Sequence, residues 1–356
     1  MTDVLTGWVA PIAVALLVGW AIPAIAIRAL FPSLTASESL VTNYRGRRIP
    51  TGLGLVWIVW AAGMALASVA FQYWDVFRYA PILLIRPRPL LLVVGSLAFG
   101  LVDDVFGSGT DKGFRGHLRA MAEGRLTTGG LKLLGIGVLA VVASGDSIMM
   151  SPDAREPMLF WTRLIVGALV IALSANFVNL TDLRPGRAIK SYGLLAVIGV
   201  LLYWVALWPD MTTEGILSAR SFLGLADAKI AALCLAILLL GPVAALWRYD
   251  LGERAMLGDA GANAMGALAG YVLVTTAPLW LLVVFALLLL ALNLASERYS
   301  FSKAIESVRF LKWIDGLGRL PAEPFSADSR HDGNDGERTG GSAADYVGKD
   351  GGTSKR

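Results

Sequence analysis

The sequence predicts an all-α, polytopic transmembrane helix bundle of about nine spans, with the N-terminus outside, the C-terminus cytoplasmic and an amphipathic helix on the membrane surface. Three observations lead there. Hydrophobic residues make up 56% of the chain and charged residues only 16%, where soluble domains carry about a quarter charged. The excess is gathered into stretches long enough, at about 20 helical residues, to cross a hydrocarbon core. The loops between these stretches alternate in basic content, which orients the chain.

The spans fall at about 8–30, 51–72, 89–103, 129–149, 158–178, 191–208, 229–247, 260–278 and 279–298. The third is short. Little more than Pro278 separates the last two, which leaves room for one of them to be broken or re-entrant. The first stretch carries Asp3 where a signal peptide has basic residues, and no small-residue cleavage site follows, so it reads as a span.

One set of loops holds Arg45, Arg47 and Arg48; Lys112, Arg115, Arg119 and Arg125; Arg184, Arg187 and Lys190; Arg248 and Arg254. The other holds Arg78, Arg86 and Arg88; Arg155 and Arg163; Arg220 and Lys229. The first set is richer and is assigned to the cytoplasm by the positive-inside rule. Trp8, Trp74, Trp161, Trp208 and Trp280 fall near span ends, where interfacial anchoring is the ordinary role.

The chain divides into a membrane domain over 1–298, an amphipathic cytoplasmic helix over 299–320 and a tail over 321–356. Ile305, Val308, Leu311 and Trp313 alternate with charges in the second part, the pattern of a helix lying along a membrane. The tail is Ser, Gly, Asp and Lys with almost no apolar residue, a composition expected to stay disordered.

Cys234 is the single cysteine, so no disulfide forms within the chain, and two histidines exclude a multi-histidine metal site. His117 is expected to be exposed and idle, and Asp111 and Glu123 to be solvated charges. Three acidic clusters carry more information, because charge at membrane depth is costly.

Asp103 and Asp104 close the third span, where their mutual repulsion and the helix dipole both disfavour them. A divalent cation or a cationic partner would resolve the conflict; a solvated loop start accounts for the position equally well. Asn176, Asn179 and Asp182 close the fifth span at three-residue spacing, roughly one helical face, and can line a polar pocket. Helix-end hydrogen bonding explains the same residues. Asp259 enters the eighth span between Gly258 and Gly261; small-residue packing explains the glycines and not the acid. Loop charge places all three clusters on one face beside basic loops, the combination a Mg²⁺–nucleotide site needs.

These segments resemble, in order through most of the membrane region, the polyprenyl-phosphate N-acetylhexosamine-1-phosphate transferase family, which includes the phospho-MurNAc-pentapeptide translocase. Arg48-Ile49-Pro50-Thr51-Gly52-Leu53-Gly54 is similar to the family's Pro-Thr-x-Gly-Gly segment, and Asp103-Asp104 to its aspartate pair. Asn176 to Asp182 is similar to Asn-x-x-Asn-Leu-x-Asp, and Met256-Leu257-Gly258-Asp259-Ala260-Gly261 to Met-Gly-Asp-x-Gly. The chain departs at Asp182-Leu183-Arg184-Pro185-Gly186, where relatives usually read Asp-Gly-x-Asp-Gly, so an acid that helps recognise the nucleotide is absent. A histidine-rich motif and the final span of many members are also missing, and the loop after Asp104 is long and basic.

The resemblance implies a Mg²⁺-dependent enzyme, with Mn²⁺ as an alternative ion, in a bacterial cytoplasmic membrane. It would transfer a sugar-1-phosphate from a UDP-sugar to a polyprenyl phosphate and release UMP, as the first membrane step of cell-envelope glycan synthesis. It gives Asp259 and Asp104 to the metal, Asp103 to the attacking lipid phosphate, Asn176, Asn179 and Asp182 to the nucleotide sugar, and Arg48, Thr51 and Lys132 to substrate binding. The implied partners are the lipid phosphate, the nucleotide sugar and the membrane; a homodimer is left open and nucleic acid has no part. A CDP-alcohol phosphotransferase would need D-x-x-D-G-x-x-A-R around one helix, which Asp182 to Ala188 does not supply. A non-catalytic relative acting as lipid-carrier transporter or assembly scaffold is the alternative reading.

Overall fold

The computed structural model describes residues 9–37, 40–73, 84, 86–107, 113–148, 155–207 and 225–320. The expected tail over 321–356 lies outside them, as do Asp111, Lys112, Arg78, Arg220, Trp8, Trp74 and Trp208.

The described chain is a helical bundle with one two-stranded ribbon. α1 covers Ala10–Ala36, α2 Val56–Tyr73, α3 Pro87–Phe106, α4 Gly113–Ala122 and α5 Thr128–Ile148. α6 covers Pro157–Thr181, α7 Arg187–Ala206, α8 Leu225–Asp250, α9 Gly258–Thr276 and α10 Leu279–Ser296. Two short helices follow, α11 over Phe301–Ser307 and α12 over Arg309–Gly316. β1 (Leu40–Thr42) pairs antiparallel with β2 (Arg48–Pro50), Val41 opposite Ile49.

Seven helices among the described residues are long and apolar enough to cross a membrane: α1, α3, α5, α6, α7, α10 and the Lys229–Asp250 part of α8. The two other expected spans differ for separate reasons. The apolar stretch at α2, Leu53–Val69, is shorter than the rest. α9 is full length but rich in Gly and Ala, and every residue from Ala260 to Val274 is buried. A helix walled in by protein needs no apolar exterior, and its small residues let neighbours approach closely. A Cβ on Gly266 would stand 2.6 Å from the Cα of Ala175 on α6, and one on Gly270 2.7 Å from the Cα of Ile171.

The third span is not short: α3 begins at Pro87, a favourable first-turn position, and runs 20 residues. Neither α9 nor α10 is broken. The irregularity foreseen at Pro278 is confined to the link, where Pro278 caps α10 in an extended conformation. The proline inside α8 is compensated. Pro242 has no N–H for the carbonyl of Leu238, four residues earlier in α8, and the buried indole of Trp60 donates to that oxygen at 2.9 Å. Tyr192 of α7 donates to the next carbonyl, Leu239, at 2.9 Å.

Two further expectations change. Arg163 does not sit in a loop; it lies in α6, 5% exposed, and donates to the carbonyls of Val274 and Ala277 at the end of α9, at 3.1 and 2.9 Å. The amphipathic segment is two short helices broken at Val308. Its apolar side chains Phe310 and Trp313 are exposed, while one of its two acids is turned inward: Asp315 is 8% exposed against the first turn of α7.

Candidate active site

The site is built where the last turn of α3, the first turns of α5 and α9, and the end of α6 converge. What forces this convergence is backbone contact. The segment after β2 is laced to the segment before α9: Met256 N–H donates to Pro50 O (2.9 Å), Leu53 N–H to Met256 O (3.1 Å) and Gly54 N–H to Leu257 O (3.4 Å). Gly54 and Gly261 then touch through their backbones, and a Cβ on Gly261 would stand 2.8 Å from the Cα of Gly54. On the other side, a Cβ on Gly100 of α3 would stand 2.5 Å from the carbonyl oxygen of Asp259. Both close approaches require glycine.

α9 begins at Gly258, whose φ of 72° lies in the left-handed region. Its free N–H groups are capped from another helix. Asp104 accepts the backbone N–H of Asp259 with one carboxylate oxygen and that of Ala260 with the other, each at 3.0 Å. A carboxylate at a helix N-terminus is favoured by unsatisfied amides and by the dipole. This removes the puzzle of one acid at the end of α3: Asp104 is misplaced for its own helix and well placed for α9.

Asp103, one residue earlier on α3, faces a different partner. Lys132 of α5, 8% exposed, donates to Asp103 at 2.5 Å and also to Asp259. The hydroxyl of Thr128, one turn before Lys132, donates to Asp103 as well. One ammonium therefore bridges the carboxylates of two helices. Asn179 of α6 reaches the same Asp259 oxygen at 3.4 Å, and Asn263, one turn along α9, donates to the carbonyl of Asp259 at 2.7 Å. The side-chain oxygen of Asn179 is buried and has no hydrogen-bond partner. A buried acceptor left open beside a lysine and two acids is a polar position that a ligand donor would satisfy.

Asp182, just past α6, accepts the backbone N–H of Gly258. Burial, and after it the negative charge of Asp250, Asp259 and Asp104, raises its carboxyl well above the usual range. Asp250, 3% exposed at the end of α8, accepts the N–H of Gly186 at 2.6 Å and so fixes the turn between α6 and α7.

Asp103, Asp104, Lys132, Asn179, Asp182 and Asp259 thus lie together. Asn176 does not: its amide donates to Asn293 of α10 at 2.6 Å, and Asn293 in turn donates to the carbonyls of Leu173 and Leu289. Arg48 is exposed on β2, and Thr51 is half-buried directly after Pro50. His117 is half-buried rather than exposed and shares a 2.8 Å hydrogen bond with Thr127 before α5. Glu123 is solvated as expected, paired with Arg119 and Arg125 at 2.9 Å.

Three contributors had little sequence signal. Thr128 and Asn263 are ordinary polar residues until their helices are docked; Asn263 alone carries a cue, four residues from Asp259 and so on its face. Glu253 is buried at 3%, adopts a φ of 52° and accepts from Asn43 (3.2 Å) and Tyr44 (3.0 Å), which pins the β1–β2 turn over the segment leading to α9. Among the described residues, no three His, Cys, Asp or Glu side chains are grouped as a metal cage. No protein-family model matches the chain.

Proposed function

We propose that this multi-pass membrane protein is a polyprenyl-phosphate glycosyl-1-phosphate transferase of a bacterial cytoplasmic membrane. It would move a sugar-1-phosphate, of N-acetylhexosamine type, from a UDP-sugar to a polyprenyl phosphate at the cytoplasmic face. The observation that carries the reading is the bridging of Asp103 and Asp259 by Lys132, on a helix start that Asp104 caps. Membrane-embedded acids held beside a lysine and an open amide acceptor suit a reaction that needs charge neutralisation and positioning rather than a covalent catalyst.

An oxygen of the lipid phosphate attacks the β-phosphorus of the nucleotide sugar. The bond from that phosphorus to the oxygen bridging to the α-phosphate breaks, and UMP leaves with the bridging oxygen. Mg²⁺, when bound, neutralises the diphosphate. The carboxylates fit that ion in its usual manner, in which one or two protein acids hold it and substrate phosphates and waters complete the shell. Asp259 would hold it with Asp104, whose oxygens keep lone pairs beyond the two amide bonds. Asp103 orients the attacking phosphate, Lys132 and Arg48 supply positive charge, Thr51 lines the phosphate side, and Asn179 and Asp182 hold the nucleotide sugar. Asn176 supports this group from behind through Asn293.

The test is UMP release by purified protein with undecaprenyl phosphate and a panel of UDP-sugars, with and without EDTA. Release that needs lipid and metal is expected with one donor, and Asp259→Asn should abolish it while the protein stays folded. Full activity of that variant would sink the assignment. The pairing of Lys132 with both Asp103 and Asp259, which compensates these acids without an ion, favours the second reading, a non-catalytic lipid-carrier transporter or scaffold. No release from any UDP-sugar by folded protein would point first to a donor with another nucleotide, and failure of those donors too would select the second reading.

A further inference from the structure

α7 and α8 pack side by side, and their shared outer face is furrowed. Ile189, Gly193, Leu240, Val243 and Trp247 line a cavity of about 500 Å³. Lys190 and Arg248 stand at its end, one in the first turn of α7 and the other in the last turn of α8. Farther along the same helix pair, Leu201, Trp204 and Lys229 line a second cavity of about 240 Å³. Positions 189, 193, 200 and 204 recur at helical spacing on one face of α7, as do 229, 233, 236, 240 and 247 on α8. The two cavities therefore lie in line along one side of the helix pair, each with a cation and a tryptophan in its lining, the arrangement found at the two interfaces of a membrane.

The larger end carries net positive charge, with Arg187, Lys190, Arg248 and Arg319 set against Asp250 and Asp315. Of the acids nearby, Asp315 is spent on Arg187 and Arg319, and Asp250 is turned inward to the Gly186 N–H. Lys190 gives two of its three donors to the carbonyls of Ile314 and Asp315, at 2.9 and 2.7 Å. Arg248 is exposed. Gly193 widens the furrow, since a Cβ there would meet no atom within 4 Å.

We propose that this furrow binds an anionic phospholipid, its phosphate between Lys190 and Arg248 and one acyl chain laid along Gly193 and Leu240. A zwitterionic lipid would return the same chain contacts without the charge match. A carrier lipid consumed in transfer has to reach Asp103 and Asp259, and the furrow's two cations are tied to α12 and to solvent, not to that cluster. The inference rests on the membrane placement of the helices and stands or falls independently of the transferase reading.

The experiment is native mass spectrometry of the full-length protein in detergent, titrated with phosphatidylglycerol or phosphatidylcholine. Wild type should retain phosphatidylglycerol more tightly. Arg248→Gln should weaken it about fivefold and leave phosphatidylcholine unchanged, the scale for one cation near an anionic headgroup. Gly193→Leu, which fills open space, should weaken both lipids while the lipid-free protein melts no lower than wild type. Equal retention of the two lipids by wild type, or variants that bind like wild type, would overturn the proposal. Displacement of phosphatidylglycerol by undecaprenyl phosphate in wild type only would overturn it too, by assigning the furrow to the carrier lipid.

Discussion

Asp104 and Asp259 meet side chain to backbone: each oxygen of Asp104 holds one amide of the turn that carries Asp259, at 3.0 Å. The acid on α3 thereby sets where the acid on α9 points, although the two residues are 155 positions apart. A Cβ on Gly258 would stand 2.8 Å from Asp104 Oδ2, so the approach also depends on the glycine between them.

Asp104→Ala should therefore cost stability as well as activity. Loss of an N-cap is worth about 1 kcal/mol, which a thermal or denaturant unfolding curve in detergent will register. Asp104→Asn, which keeps one acceptor, should recover about half of that stability and not the UMP release.

Lys132→Met leaves Asp103 and Asp259 facing each other across an apolar gap. Their side chains are 18% and 33% exposed, so solvent tempers the penalty, and we expect about 1–3 kcal/mol of destabilisation. Adding Asp103→Asn should return much of it without restoring transfer. A double-mutant cycle on unfolding free energy measures the coupling, and additive single effects would show that the bridge contributes nothing to stability.

Glycines in α5 and before α2 should respond oppositely to alanine. Gly137→Ala meets no atom within 4 Å and gains about 1 kcal/mol of helix propensity. Gly54→Ala drives a methyl into the backbone of Gly261, which can yield only if the Leu53–Met256 and Gly54–Leu257 bonds open. The first variant should melt higher than wild type and the second clearly lower.

The contact of Asp315 with α7 predicts a pH dependence. Burial works against its charge, but hydrogen bonds from Arg187 and the nearby charges of Arg187, Arg319 and Lys190 hold its carboxyl below the ordinary 3.8. In the window between the lowered and ordinary values the unfolded chain binds more protons, so stability falls with falling pH. The contribution is fully present above the ordinary value and is lost as pH drops through the lowered one. Asp315→Asn should melt below wild type at neutral pH, and the gap should close in acid.

Much of the helix order was legible because span length and loop charge are local quantities. Asp103, Asp104, Asn179, Asp182 and Asp259 stood out because a carboxylate or amide at a span end has few other uses. What failed was angular. Three-residue steps turn a helix by about 300°, so Asn176 drifts away from Asn179 and Asp182 and ends against α10. Arg163 looked like loop charge because no local feature shows that the carbonyls of Val274 and Ala277 await it, more than 100 residues on. The role of Asp104 as a cap for a distant helix was invisible for the same reason.

The lacing of Pro50 and Leu53 to Met256 has a consequence for biosynthesis. During translation the first two helices are made roughly 200 residues before the segment that completes their loop, at a rate of about 5–20 residues per second. For on the order of ten seconds or more the carbonyl of Pro50 and the amides of Leu53 and Gly54 have to wait for their final partners. The pocket is therefore a late product of synthesis, closed when the ribosome has passed Gly261, and a nascent chain stopped short of that point carries helices but no site.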